Sequence, residues 1–178
     1  MHRKAGRAAC GNGGSFSDAL HFSGELLKEF RLKRCLPAEE LAQYAASPYA
    51  ESLRSSLKPG LPVVVLGLNG ALNSAIANDM PAATIAFAQE LRALAQPGDL
   101  LLGISTSGNA ANIGMACAVA KARKLKVAAL LGRDGGQLAK VADACVIAPG
   151  ADTAAIQNNH VVLYHALASA LEEHFYHC

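Results

Sequence analysis

The chain has 178 residues, of which 52% are apolar, 17% charged and 5% aromatic, and its formal net charge is +2. That length buries a sizeable core without disulfide or metal staples, and the composition excludes a disordered, charge-rich chain. The near-neutral balance excludes a nucleic-acid binder held by phosphate contacts, no apolar run approaches the ~18 residues of a membrane span, and Met1-His2-Arg3-Lys4 leads into no apolar signal core.

The first apolar run, 7–10, has strand length and feeds Cys10-Gly11-Asn12-Gly13-Gly14-Ser15, then helical spacing over 16–34. Ser15 and Asp18 match a capping box at the start of that helix. Lys28, Arg31, Lys33 and Arg34 close it, where positive charge suits the dipole, and they read as a solvated helix end. Helical spacing returns over 38–57, but Pro37, Pro48, Pro59 and Gly60 break the stretch from 35 to 61. It reads as a surface excursion with one or two short helices; a lid or an oligomer contact is the alternative. Further strands are expected at 62–66, 100–104, 126–131 and 144–147, and further helices at 81–95, 110–123, 136–142 and about 153 to 176.

Apolar runs without alternation are strands buried on both faces, as in a parallel sheet covered by helices. The expected fold is therefore α/β: a doubly wound five-stranded parallel sheet flanked by helices, with 1–178 as one domain. Five cysteines without CxxC spacing read as reduced thiols in a cytoplasmic protein. Alanine, at 36 residues, suits closely packed helices.

Ligands of such sheets sit at the carboxyl ends of the strands, so the loops there carry the functional reading. In Gly11-Asn12-Gly13-Gly14, glycine lets backbone N–H groups approach an oxygen-rich ligand, although such a turn also exists for its own sake. The spacing is not GxGxxG, which argues against a dinucleotide site. Ser105-Thr106-Ser107-Gly108-Asn109 follows the third strand and enters a helix, so hydroxyls and free N–H groups converge on an anion. No lysine follows in Walker spacing, and a monoester phosphate fits better than a nucleoside triphosphate.

His21 and Glu25 stand at i and i+4 on one helix face. Gln157 and His165 are eight apart, about 80° of helical offset, again one face. The four could close a zinc site, with His160 a further candidate; histidines satisfied beside a polar surface are the alternative. His174 and His177, near the terminus, read as unrelated.

The Cys10–Ser15 segment, Asp18-Ala19-Leu20-His21-Phe22, Leu102-Gly103-Ile104-Ser105-Thr106-Ser107-Gly108-Asn109, Asp134-Gly135-Gly136, Ile156-Gln157, His160 and His165 together resemble the sugar isomerase (SIS) fold. Within it they resemble the phosphoheptose isomerases, over 7–176. The resemblance implies an aldose–ketose isomerase that converts sedoheptulose 7-phosphate to glycero-manno-heptose 7-phosphate. It implies that Asn12, Gly13 and Gly14 touch the sugar, Asn78 and Asp79 its hydroxyls, and Ser105, Thr106 and Ser107 its phosphate. It further implies zinc, one per subunit, on His21, Glu25, Gln157 and His165, with Glu25 and His165 as the acid–base pair. Substrate-binding roles extend to His21, Glu25 and Gln157.

Three departures from the family pattern stand out. Ala110 replaces a serine in the phosphate loop, Ala154 replaces an acidic residue three positions before Gln157, and the family's N-terminal helix has no counterpart before residue 7. The resemblance also implies a site near a subunit boundary and a dimer or tetramer. Ile156, Leu163, Leu167, Leu171 and Phe175 are expected to extend the last helix's apolar surface toward a second copy. No nucleic-acid or membrane partner is expected. The competing class is a non-catalytic phosphosugar sensor or a partner of the replication initiator, and retention of both Glu25 and His165 favours catalysis.

Overall fold

The five apolar runs form the five strands of one parallel sheet in the order β2-β1-β3-β4-β5. They are β1 (Arg7–Cys10), β2 (Val63–Val65), β3 (Leu100–Ser105), β4 (Lys126–Gly132) and β5 (Ala144–Ala148), in a computed structural model that describes residues 6–176. Met1-His2-Arg3-Lys4 and His177 lie outside the described residues. Val65, Ala9, Leu102, Ala128 and Ala144 stand in one cross-strand row. Around the sheet run α1 (Gly14–Leu27), α2 (Ala38–Ala42), α3 (Ala50–Ser56), α4 (Gly70–Asp79), α5 (Ala86–Leu94), α6 (Ala111–Ala122), α7 (Gly136–Val141) and α8 (Thr153–Tyr176).

The pleat sends alternate residues to opposite faces, which gives two cores. Leu66, Leu91, Ile113, Ala116, Leu131 and Leu138 pack on the side of α5, α6 and α7. Ala9, Phe22, Leu26, Ile104, Leu130, Tyr164 and Ala168 pack on the side of α1 and α8. The strand order reverses between β1 and β3, so α1 and α6 leave neighbouring strands toward opposite faces. The crevice between their first turns is the topological switch point of this sheet.

Several local expectations are corrected. The first helix stops at Leu27, because Lys28 is extended (φ −131°, ψ 178°). It begins at Gly14 behind an N-cap glycine without a side-chain cap, so Ser15 and Asp18 form no capping box and are instead buried. Arg34 is not solvated but 1% exposed, paired with Glu172. The stretch 38–57 splits into α2 and α3. Helix α4 had no expectation: it buries only Ile76 and carries Gly70, Asn73, Ser74 and Asn78, so no apolar stripe announces it. Asn69 caps it by accepting a hydrogen bond from the Leu72 amide at 3.0 Å.

Strand β5 is not buried on both faces; Val146 and Ile147 are 43% and 44% exposed at the sheet edge. On α8 the buried stripe is Ile156, His160, Tyr164, Ala168 and Glu172. Ile156 therefore belongs to the chain's own core, whereas Val162, Leu167 and Phe175 remain exposed.

Candidate active site

The switch-point crevice is lined by the β1–α1 and β3–α6 loops. Gly13 (φ 54°) and Gly108 (φ 66°) take the left-handed backbone that lets each loop turn back on its helix. Asn12 and Asn112 exchange two amide hydrogen bonds, at 3.0 and 2.8 Å, and so tie α6 to the glycine loop across the crevice. Asn112 was not singled out from the sequence.

Ser105 ends β3 and is buried, its Oγ accepting from the Gly108 amide at 3.1 Å. Ser107 Oγ accepts from the Asn109 amide at 3.2 Å, and Asn109 Oδ1 accepts from Gln137 N at 3.0 Å. Thr106 and Ser107 are half-exposed. The hydroxyls thus belong to a strand end and a turn rather than to the helix N-terminus, because α6 begins at Ala111 behind Ala110. Asp152, near the position of the lost acidic residue, caps α8 by accepting from the Ala155 amide at 2.8 Å.

Helices α1 and α8 pack side by side in the same direction, Gly14 against Gln157 and His21 against Tyr164 and His165. His21, Glu25 and His165 converge, with one ligand atom of each within 4.8 Å of the others. His21 Nε2 lies 3.2 Å from Glu25 Oε1 and 3.4 Å from His165 Nε2. Lys28 Nζ holds the other carboxylate oxygen at 3.1 Å. Tyr164, 1% exposed, brings its hydroxyl to 2.8 Å from His21 Nδ1. Phe30 stacks on His165 at 5.5 Å between ring centroids and 26° between planes.

The donor set suits a zinc ion. In a tetrahedral site with bonds near 2.1 Å, neighbouring ligand atoms stand about 3.4 Å apart, close to the separations around His21 Nε2. His21 also has a partner for its second nitrogen, as metal-bound histidines do.

Gln157 lies on the same pair of helices, its amide against Gly14, where a Cβ would strike it. Two helical turns, about 12 Å of rise, separate it from His165. His160 is buried with Nε2 2.9 Å from the Leu131 carbonyl, away from the cluster. Asn78 donates to Asp79 at 2.8 Å, and both are exposed at the far end of α4, without hydrogen bonds to either loop. Burial pushes the Asp18 carboxyl up, against the opposing pull of His160 and His21.

Comparison with known proteins bears on this geometry. The SIS domain model matches residues 73–171. The phosphoheptose isomerase of Thiobacillus denitrificans is 40% identical over 167 residues, 92% of this chain and 72% of that protein. The chain belongs to the SIS-domain phosphoheptose isomerase family. The solved phosphoheptose isomerase of Neisseria gonorrhoeae matches 95% of the chain and 77% of its own, with 34% identity and a TM-score of 0.73. That of Francisella tularensis gives the same coverage at 30% identity and 0.76. The five-stranded parallel sheet is therefore the SIS fold.

Tyr164 and Phe30 were missed from the sequence. The available signal was the stride of four on α8, which puts His160, Tyr164 and Glu172, all polar, on its buried face.

Proposed function

We propose that the chain interconverts sedoheptulose 7-phosphate and D-glycero-D-manno-heptose 7-phosphate as an aldose–ketose isomerase. The observation that carries the reading is the meeting of a carboxylate and two imidazoles at His21 Nε2, in a family of isomerases. Moving a carbonyl between C1 and C2 needs a base for a carbon-bound proton and a group that moves a proton between the two oxygens. Glu25 Oε1 takes the proton from C1 of the ketose, the C–H electrons form the enediol double bond, the proton on Glu25 exchanges with solvent while the enediol stands, and Glu25 then delivers a proton to C2. His165 gives a proton to the C2 oxygen and takes one from the C1 oxygen. Lys28 holds Glu25 Oε2, which keeps Oε1 turned to the cluster.

His21, Glu25 and His165 would hold the zinc, one per subunit, with Glu25 and His165 each a ligand in one state and a proton-transfer group in another, since a coordinated oxygen or nitrogen has no lone pair free for a proton. When bound, the zinc polarises the carbonyl and favours the negative oxygen of the enediolate. Gln157 belongs to the sugar end of the site, beside Asn12, Gly13 and Gly14. Ser105, Thr106 and Ser107 receive the phosphate, with Ser107 and Thr106 the accessible hydroxyls.

Self-association belongs to the same reading. Asn78 and Asp79 end α4, about 14 Å of helical rise beyond its start, and serve the sugar of another copy. Exposed Val162, Leu167 and Phe175 give that copy apolar surface to cover. The protein is one SIS domain, with 35–61 as an excursion, and works in the cytoplasm, a reading supported by the free thiols of Cys10, Cys35, Cys117 and Cys145. The test is incubation of purified protein with sedoheptulose 7-phosphate and detection of the aldose by proton NMR. Binding without turnover would instead favour a phosphosugar-binding protein.

A further inference from the structure

Arg34 and Glu172 form an ion pair, Nε to Oε1 at 2.8 Å, with both side chains wholly buried. Neither lies in the donor cluster, yet their hydrogen bonds reach the backbone carbonyl of Glu25 and the amide of Phe30, whose ring stacks on His165. Glu172 accepts four: Phe30 N at 2.8 Å and Arg34 Nε at 2.8 Å on Oε1, Arg31 N at 2.7 Å and Leu32 N at 2.9 Å on Oε2. Every lone-pair direction of the carboxylate is used.

The remaining Arg34 donors close the end of α1. Nη2 donates to the Glu25 carbonyl at 3.3 Å, and Nη1 to the Leu26 carbonyl at 3.0 Å and the Pro59 carbonyl at 3.3 Å. The last carbonyls of a helix have no helical N–H to accept from, and here a side chain eight or nine residues onward donates to them, joined at Leu26 by the Leu61 amide at 2.9 Å. The same carboxylate draws residues 30–32 off the helix path. That detour, from the extended Lys28 onward, turns the Phe30 ring onto His165.

We propose that the buried Arg34–Glu172 pair is a positioning device for the reaction, holding the Glu25 carboxylate and the His165 imidazole at their working separation through the Glu25 carbonyl and the Phe30 ring. The proposal rests on the isomerase reading. Its logic is mechanical: α1 carries Glu25, α8 carries His165, and the pair bolts the end of α1 to α8 while wedging Phe30 against the histidine. A packed ring fixes an imidazole plane in a way that solvent does not, and small misplacement of a proton-transfer group is expensive in rate.

Replacing Arg34 or Glu172 by alanine would strand a buried charge and could unfold the chain. The decisive variant is therefore Phe30→Leu, at a half-buried position where the ion pair stays intact. In the zinc-loaded protein, kcat should fall about 10- to 100-fold while KM stays within about threefold. The His165 ring-proton resonance should move downfield on loss of the stacked ring. Phe30→Tyr should restore both. The double variant Arg34→Met with Glu172→Met, which removes both charges together and strands neither, should show the same split between kcat and KM.

A wild-type kcat in Phe30→Leu, an equal change in kcat and KM, or an unmoved His165 resonance would overturn the proposal. Wild-type protein that does not turn over heptose 7-phosphate would instead defeat the isomerase reading. In that event the resonance arm still decides whether Phe30 fixes His165.

Discussion

Tyr164 holds the far side of the His21 ring, its hydroxyl 2.8 Å from Nδ1 and its own ring edge-on at 5.3 Å. With zinc bound, Nδ1–H would donate to the phenol oxygen and leave the Nε2 lone pair for the metal. Burial, then the negative charges of Asp18 and Glu25, push the phenol pKa up, so the hydroxyl stays neutral. Tyr164→Phe removes the partner that fixes this tautomer. Zinc affinity, measured by competition with a chromophoric chelator, should fall about 10- to 100-fold; unchanged affinity would contradict the role.

Removing the proton-transfer groups separates chemistry from binding. Glu25→Gln and His165→Asn should each lower kcat by roughly 10²–10⁴, while sugar-phosphate binding by calorimetry persists. Loss of binding with normal kcat in either variant would mean that these side chains hold substrate and move no proton.

The phosphate turn predicts the opposite split. Ser107 is half-exposed and its hydroxyl proton is free to donate, since the oxygen only accepts within the turn. Ser107→Ala should weaken heptose 7-phosphate binding about tenfold to a hundredfold, the worth of roughly 1.5–3 kcal/mol for a hydrogen bond to a charged group. An unaltered Kd would remove Ser107 from the phosphate site.

Much of this was legible beforehand. Five unalternating apolar runs became the five strands, and in β1 and β3 and most of β4 the reason is that both faces of a covered parallel sheet demand apolar side chains at successive positions, whereas β2 and β5 stand at the sheet edges and are partly exposed. His21, Glu25 and His165 were legible because helical spacing fixes which side chains share a face. What escaped was set by long-range polar contacts. The helix expected to run to 34 stops at Leu27, where Glu172, some 140 residues away, takes the amides of Phe30, Arg31 and Leu32. Gln157 shares a helix face with His165, but the packing of α8 on α1 sets it against Gly14. Helix α4 lacks an apolar stripe because it buries a single large residue.

Acid stability has an identifiable contributor. Asp143 lies 2.7 Å from Lys121 Nζ and accepts from the Val127 amide at 2.7 Å. First the Lys121 bond and then the Val127 bond hold its carboxyl down, from 3.8 to about 2. A depressed carboxylate stabilises the fold above its unfolded pKa and loses that contribution as pH falls through the folded one, here from about 4 to about 2. Denaturant midpoints across that interval should fall more steeply for wild type than for Asp143→Asn. Parallel curves would show that Asp143 is uncoupled from folding.

The central claim is that Glu25 and His165 perform an isomerisation by proton transfer, and the fate of a solvent deuteron tests it most directly. Zinc-loaded protein is incubated with sedoheptulose 7-phosphate in deuterium oxide, and the products are followed by proton and deuterium NMR. The account predicts glycero-manno-heptose 7-phosphate carrying solvent deuterium at C2, and no such product from Glu25→Gln. Product without deuterium at C2, or no product from zinc-loaded wild type, would contradict it.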